Sequence, residues 1–417
     1  MIIRLSDNKR SVTPRRIMVQ SLILCIILEN VKLFDVMGAA IKPVHIVMIL
    51  ASLYCMVCER MYLRDIVIGT AFMALPLLPI LRVNDLTEWA KSYVIYVIMC
   101  IFLATAMRYV IAEVQVNYKK HLKLLLFTIA IIQILGIIQF ICMNFFDYFW
   151  LENMWGEYQF HVSQFGKSYG FYRAYSLFYE PSVFAWVTFT AFAVLLFFEK
   201  GTISPKKRMA YLILDVIAML SSLSAAGFTV MLIIIFVFIF VRTPNLYRRL
   251  KGLFFILLGI TAVILFTDIL KPFRRIYIEL AIPGMSGYER IISPILYAKE
   301  TLYTFPLFGR GLGQEGFVDS IGIIGRYTSV HNSIFGIIMC FGFSSLFIFI
   351  PAIAYAIRKI KVNPYWILLA VNILGIYVST GAFCSLDTFL FLIIIIAFGT
   401  VKRRKPVERK VLVHVHL

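Results

Sequence analysis

The stretch YRAYSLFYEPSVFAWVTFTAFAVLLFF, residues 172–198, opens with Arg173, Glu180 and Pro181 and then carries no charge as far as Phe198. A segment so apolar has no obvious use for an arginine, a glutamate and a proline at its front. What the chain is dissolved in decides how to read them. Of 417 residues, 61% are hydrophobic and 15% charged, too little polar surface to cover a soluble protein of this size. Comparable apolar runs recur from end to end. In lipid such runs are helices, because every backbone group must find its partner within the segment. The sequence therefore predicts an all-α polytopic membrane protein, a single integral domain over residues 1–417.

At ~20 residues per span, about twelve spans are expected, near 17–34, 41–58, 66–81, 91–112, 122–146, 176–198, 208–225, 227–241, 252–270, 332–357, 364–382 and 383–400. The pairs 208–225/227–241 and 364–382/383–400 are joined by almost nothing and should be tight hairpins. The first run is too long for a cleaved signal peptide, and Glu29 interrupts it. Twelve spans return both ends of the chain to one side. On that side fall 28 of the 41 Lys and Arg, against 13 on the other, seven of those in one long loop. Short loops rich in Lys and Arg face the cytoplasm, so both termini are expected there. The net charge of +19 then reflects topology and attraction to anionic headgroups. Nucleic acid is not an expected partner, since no folded basic domain is present. The seven cysteines, at 25, 55, 58, 100, 142, 340 and 384, all lie within spans and suggest no disulfide framework.

Two segments outside the cytoplasm are long. One is an aromatic-rich loop at 147–175; the other is a large loop at 271–330, between the ninth and tenth spans, with room for short helices. Within the second, ERIISPILYAKETLYTF (289–305) has the spacing of an amphipathic helix lying along the membrane, interrupted by Pro294. The following PLFGRGLGQEG (306–316) contains G-x-G-x-x-G. Without a strand before it and a helix after it, that pattern reads as a tight turn with N–H groups available to a phosphate. No metal-binding or cofactor motif is found.

The sixth span enters from the external side, which puts Arg173 and Glu180 at its mouth. On a helix Arg173, Ser176 and Glu180 would share one face. Pro181 suits a helix start, where a missing N–H costs little, and Glu180 would meet the positive end of the helix dipole. The plain reading is an interfacial Arg–Glu anchor. The same external face, however, also receives Arg290, Arg310, His331 and Asn332, the last two at the mouth of the tenth span. An anchor does not explain that gathering.

The order Arg173…Glu180-Pro181-Ser182, then Arg290, then PLFGRGLG, then His331-Asn332 resembles the O-antigen polymerase/ligase superfamily, and within it the Wzy-type polymerases of oligosaccharide repeat units. The motifs cover roughly residues 170–345, the topology the whole chain. The paired Arg-based loop repeats of those polymerases have no clean match here. The resemblance implies a membrane glycosyltransferase that joins undecaprenyl-diphosphate-linked glycans, donor and acceptor, at the outer face of the bacterial cytoplasmic membrane. It implies Arg173, Arg290 and Arg310 on the diphosphate, whose oxygens suit the arginine fork. His331 or Glu180 would be the base, with His331 favoured, and Asn332 and Ser176 would be further substrate contacts. It implies no cofactor and no metal, and membrane lipids and a chain-length regulator as partners. Rival readings are a ligase of the same superfamily and a lipid-linked oligosaccharide flippase, which would use intramembrane acids such as Glu29 and Asp215.

Overall fold

The computed structural model describes residues 12–149, 167–198, 202–243, 282, 286–314, 332–379 and 386–401, apart from positions 37, 84, 169 and 179. The apolar runs become α1 (Val12–Leu24), α2 (Pro43–Cys58), α3 (Leu63–Ala74, prolonged by 3-10 turns to Arg82), α4 (Leu86–Thr105) and α5 (Met107–Phe145). A small hairpin of β1 (Phe34–Val36) and β2 (Ala39–Ile41) stands between α1 and α2. After a second hairpin, β3 (Lys167–Ser168) and β4 (Phe171–Tyr172), come α6 (Pro181–Phe197), α7 (Pro205–Ser222) and α8 (Ala225–Arg242). The chain continues with α9 (Ser286–Thr304), α10 (Ser333–Phe341), α11 (Leu346–Val362), α12 (Trp366–Ser379) and α13 (Leu386–Gly399). Four stretches, 63–82, 86–105, 107–145 and 333–362, are long and apolar enough to cross a membrane, and further apolar helices are shorter. The architecture is that of an all-α membrane protein. The expected ninth span, 252–270, lies outside the described residues.

Two expectations about the helices can be compared directly. The hairpin between the seventh and eighth spans is present: Leu223 takes a left-handed φ of 46°, and Ser224 caps α8 by accepting from the Gly227 N–H at 3.3 Å. The run expected as one span over 91–112 is instead cut at Ala106, and α5 begins at Met107. The connection expected at 113–121 is helical too, with a kink at Asn117 (φ −113°, ψ 25°) between the two arms of α5. The Asn117 side chain donates to Glu113 Oε1 at 2.8 Å.

The core is built around α6. Every residue from Pro181 to Phe197 is buried, among α5, α7, α8 and α12. In lipid, burial of apolar surface does not drive helices together, so close approach at small residues matters more. A Cβ added at Gly136 of α5 would lie 2.4 Å from Phe184, at Gly227 of α8 2.6 Å from Ala185, and at Gly375 of α12 2.6 Å from Val230. These three contacts chain α5, α6, α8 and α12 together.

Polar contacts gather at the two ends of this bundle. At one end Arg15 holds Glu59 through both carboxylate oxygens at 2.5 Å, and His121 lies 3.1 Å from Glu113. Arg16 approaches the same Glu113 at 3.8 Å, and Gln115 donates to the Thr400 carbonyl at 3.3 Å. The first and last described helices therefore reach the same polar layer. Phe198, just past α6, stacks on Tyr118 in that layer with centroids 5.8 Å apart. Glu180 precedes the other end of α6, about 25 Å away at 1.5 Å per residue. There Asn30 donates to the Leu177 carbonyl, and Gln314 braces Asp85 from both amide atoms at 3.2 and 2.9 Å.

Candidate active site

Residues 173–178 form a turn, not a helix, and side chains of α5 hold it. The Tyr172 N–H donates to Asn144 Oδ1 at 2.6 Å, and its carbonyl accepts from Asn144 Nδ2 at 3.0 Å. The N–H groups of Tyr175 and Ser176 both donate to Gln139 Oε1, at 3.0 and 2.7 Å. From α7, the Ser221 carbonyl accepts from the Ala174 N–H at 3.0 Å, and the Ser222 carbonyl from Arg173 Nε at 3.3 Å. Ser176 has a left-handed φ of 54°, so the helical face expected for Arg173, Ser176 and Glu180 does not form. Proline disfavours helical backbone in the residue before it, and the amides of α5 offer the turn its hydrogen bonds. Ser176 is 2% exposed and its hydroxyl donates to the Ile132 carbonyl at 2.7 Å; it belongs to the frame of the turn.

The helix starts at Pro181, as its fixed φ favours. Glu180 is the extended residue before it (φ −137°, ψ 145°), and its Oε2 accepts from Ser182 Oγ at 2.5 Å. A carboxylate there meets the positive end of α6. Across from it, Arg290 Nη2 lies 3.9 Å from Glu180 Oε2, with the two side chains 20% and 24% exposed. That separation is an ion pair and too long for a hydrogen bond. Arg290 Nε is buried and has no hydrogen-bond partner, and neither has Ser293 Oγ one turn further along α9. The arginine thus faces a carboxylate while keeping donor capacity.

Arg290 is carried by α9, which runs through Pro294 without the expected interruption. α9 rests on α10, where Tyr297 and Ala298 pack on Met339. Asn332 precedes α10 and caps it, with Oδ1 accepting from Ile334 N at 3.1 Å and Phe335 N at 3.4 Å. Its Nδ2 donates to the Arg290 carbonyl at 3.0 Å. Beyond α9 the glycine loop folds back on the end of α10: the Arg310 and Gly311 N–H groups donate to the Met339 and Cys340 carbonyls at 2.8 and 3.1 Å. Those two groups are therefore not presented to a phosphate. The Arg310 side chain turns inward, to Glu300 Oε1 and Thr301 Oγ1, each at 3.1 Å.

Glu180, Arg290 and Asn332 thus come together, with Arg173 on the adjoining turn, while Arg310 braces the loop behind α9. His331 lies outside the described residues. Sequence reasoning missed Gln139 and Asn144, whose signal was there to read: amides within an apolar run must find partners in lipid. Among the described residues no group of three or more His, Cys, Asp or Glu could hold a metal ion.

The chain is an all-α membrane protein with an arginine, a carboxylate and a capped helix start brought together at one polar end. More narrowly, the chain belongs to the WcaD colanic acid polymerase family, whose model matches residues 15–401. This is a family of Wzy-type repeat-unit polymerases, glycosyltransferases that act in polysaccharide synthesis. The superfamily expected from the motifs is borne out. No curated protein matches the chain.

Proposed function

We propose that this protein polymerises undecaprenyl-diphosphate-linked oligosaccharide repeat units at the outer face of a bacterial cytoplasmic membrane. The observation that carries the reading is Arg290, held 3.9 Å from Glu180 with a buried Nε that has no hydrogen-bond partner. The acceptor hydroxyl oxygen attacks the anomeric carbon of the donor. The glycosidic bond forms as the bond from that carbon to the diphosphate oxygen breaks, and the diphosphate leaves with the electron pair. Arg290, with Arg173 beside the same turn, neutralises the charge that develops on the leaving group; preorganised cations do this without rearranging in the transition state. The acceptor proton passes to His331, with Glu180 the alternative base and otherwise the group that orients the acceptor or Arg290. Arg310 serves the site through the loop it braces. The orientation is supported by the loop charges, which assign the layer containing Arg15 and Arg16 to the cytoplasm and the Glu180 layer to the exterior. A chain-length regulator is the expected protein partner.

Glycan chain length, measured beside protein level in cells, tests the assignment. Arg290→Lys keeps the charge but loses the two-pronged geometry and should be nearly as inactive as Arg290→Ala. His331→Ala should lose roughly 10²- to 10⁴-fold in rate. Both should leave single repeat units on lipid with normal amounts of protein. Wild-type chain lengths with Arg290→Ala would refute the diphosphate role, and repeat units trapped on the cytoplasmic side would favour a flippase.

A further inference from the structure

α9 contains a proline in its interior, and the hydrogen bond that this proline removes can be named. In an α-helix the N–H of residue 294 would donate to the carbonyl of residue 290. Pro294 has no N–H, and its ring also crowds that carbonyl. The carbonyl left without its helical donor is therefore that of Arg290, the residue facing Glu180. Asn332 Nδ2 donates to this same carbonyl at 3.0 Å, while Asn332 Oδ1 caps α10. One amide thereby caps the start of α10 and fills the gap in α9. Further along, the two helices are joined by apolar packing of Tyr297 and Ala298 on Met339, which fixes spacing less sharply than a directed hydrogen bond.

We propose that Pro294 and Asn332 act together as a positioning device for Arg290. The proline withholds the helix's own donor, so the Arg290 carbonyl is docked on α10 and is not satisfied within α9. α10 packs on α12, and α12 on α6, which Glu180 immediately precedes. The Arg290–Glu180 geometry is thus set through the bundle and not by the 3.9 Å ion pair itself. Asn332 and Pro294 are positioning residues; neither needs to touch substrate. The inference rests on the proposed role of Arg290 at the diphosphate.

The test uses the full chain in proteoliposomes, with undecaprenyl-diphosphate-linked repeat units extracted from a host lacking its polymerase. Pro294→Ala improves helix propensity and restores the N–H, so it should fold normally while diverting the Arg290 carbonyl from Asn332. Asn332→Ser keeps a good helix cap but is too short to reach that carbonyl. Each should lower kcat about 10- to 100-fold with little change in KM, since a displacement near 1 Å can cost that much. Because the two act as one unit, the double variant should be no slower than the worse single variant. Wild-type kcat in either single variant overturns the proposal, and so do losses that multiply in the double. Return of Asn332→Ser to wild-type rate on adding Pro294→Ala overturns it as well, because the carbonyl would then need only a partner and not a position. Arg290→Ala is assayed in parallel. Full activity there removes the diphosphate reading itself, whereas an inactive Arg290→Ala beside an unaffected Pro294→Ala removes the device alone.

Discussion

Gly309→Ala tests how the glycine loop is locked behind the site. Gly309 has a φ of +67°, and a Cβ there would lie 2.5 Å from the Cys340 carbonyl carbon and from Met339 O. An alanine in the left-handed region costs about 1–2 kcal/mol. Ordinary contact requires a retreat of roughly 1 Å, which would break the Arg310 and Gly311 hydrogen bonds to Met339 and Cys340, now 2.8 and 3.1 Å. Buried groups left without partners cost about 1–3 kcal/mol each. The total, about 3–8 kcal/mol, is comparable with the whole stability of many domains. Gly170→Ala is the matched control, because its φ is +83° but nothing lies within 4 Å, so it should lose about 1–2 kcal/mol from backbone conformation alone. Thermal melting of the full chain in detergent, followed by size-exclusion chromatography, should show far less folded Gly309→Ala than Gly170→Ala at every temperature. Equal melting of the two variants would refute the argument that the loop is locked by backbone contact with α10.

Three further outcomes are expected. Cysteines introduced into 147–175 or 271–330 should react with impermeant reagents added to intact cells; labelling that requires permeabilised membranes would reverse the orientation and move the site to the cytoplasm. Polymerisation should continue in EDTA, since arginines are assigned the work that Mg²⁺ does in many phosphoryl sites, and loss of activity restored by Mg²⁺ or Mn²⁺ would contradict that mechanism. Asp215, buried in α7, accepts from Gln133 Nε2 at 2.7 Å while its Oδ2 has no hydrogen-bond partner. Asp215→Asn, which cannot cycle a proton, should leave polymerisation within about twofold, and abolished activity in a stable protein would point to ion-coupled transport.

The membrane class and most of the helices were legible in the sequence, because lipid allows an apolar run few alternatives to a helix. The start of α6 at Pro181 was legible for a similarly local reason, the fixed φ of proline. Partnerships between distant segments were not. Spacing within 173–180 suggested that Glu180 shares a helical face with Arg173, but Gln139 bonds the backbone of that turn and Glu180 faces Arg290 from a helix far along the chain. A connection was expected between spans ending at 112 and beginning at 122, whereas the helix continues there with a kink at Asn117. The family resemblance implied that Asn332 is a substrate contact. Its amide caps α10 and donates to the Arg290 carbonyl, partnerships that cannot be foreseen without knowing that α9 and α10 touch.

The burial of α6 on every side has a mechanical consequence. A rod packed on all faces has no empty direction in which to tilt or slide, because interiors at this density do not yield locally. Glu180 stands just before the tip of that rod. α9 is different: Ile291, Ile295, Leu296 and Tyr303 are exposed on it, so one flank is unconfined by protein. A product that lengthens by one repeat at each turnover needs clearance that a single sugar does not. Of the two helices, α9 is the one with an exposed flank beside it.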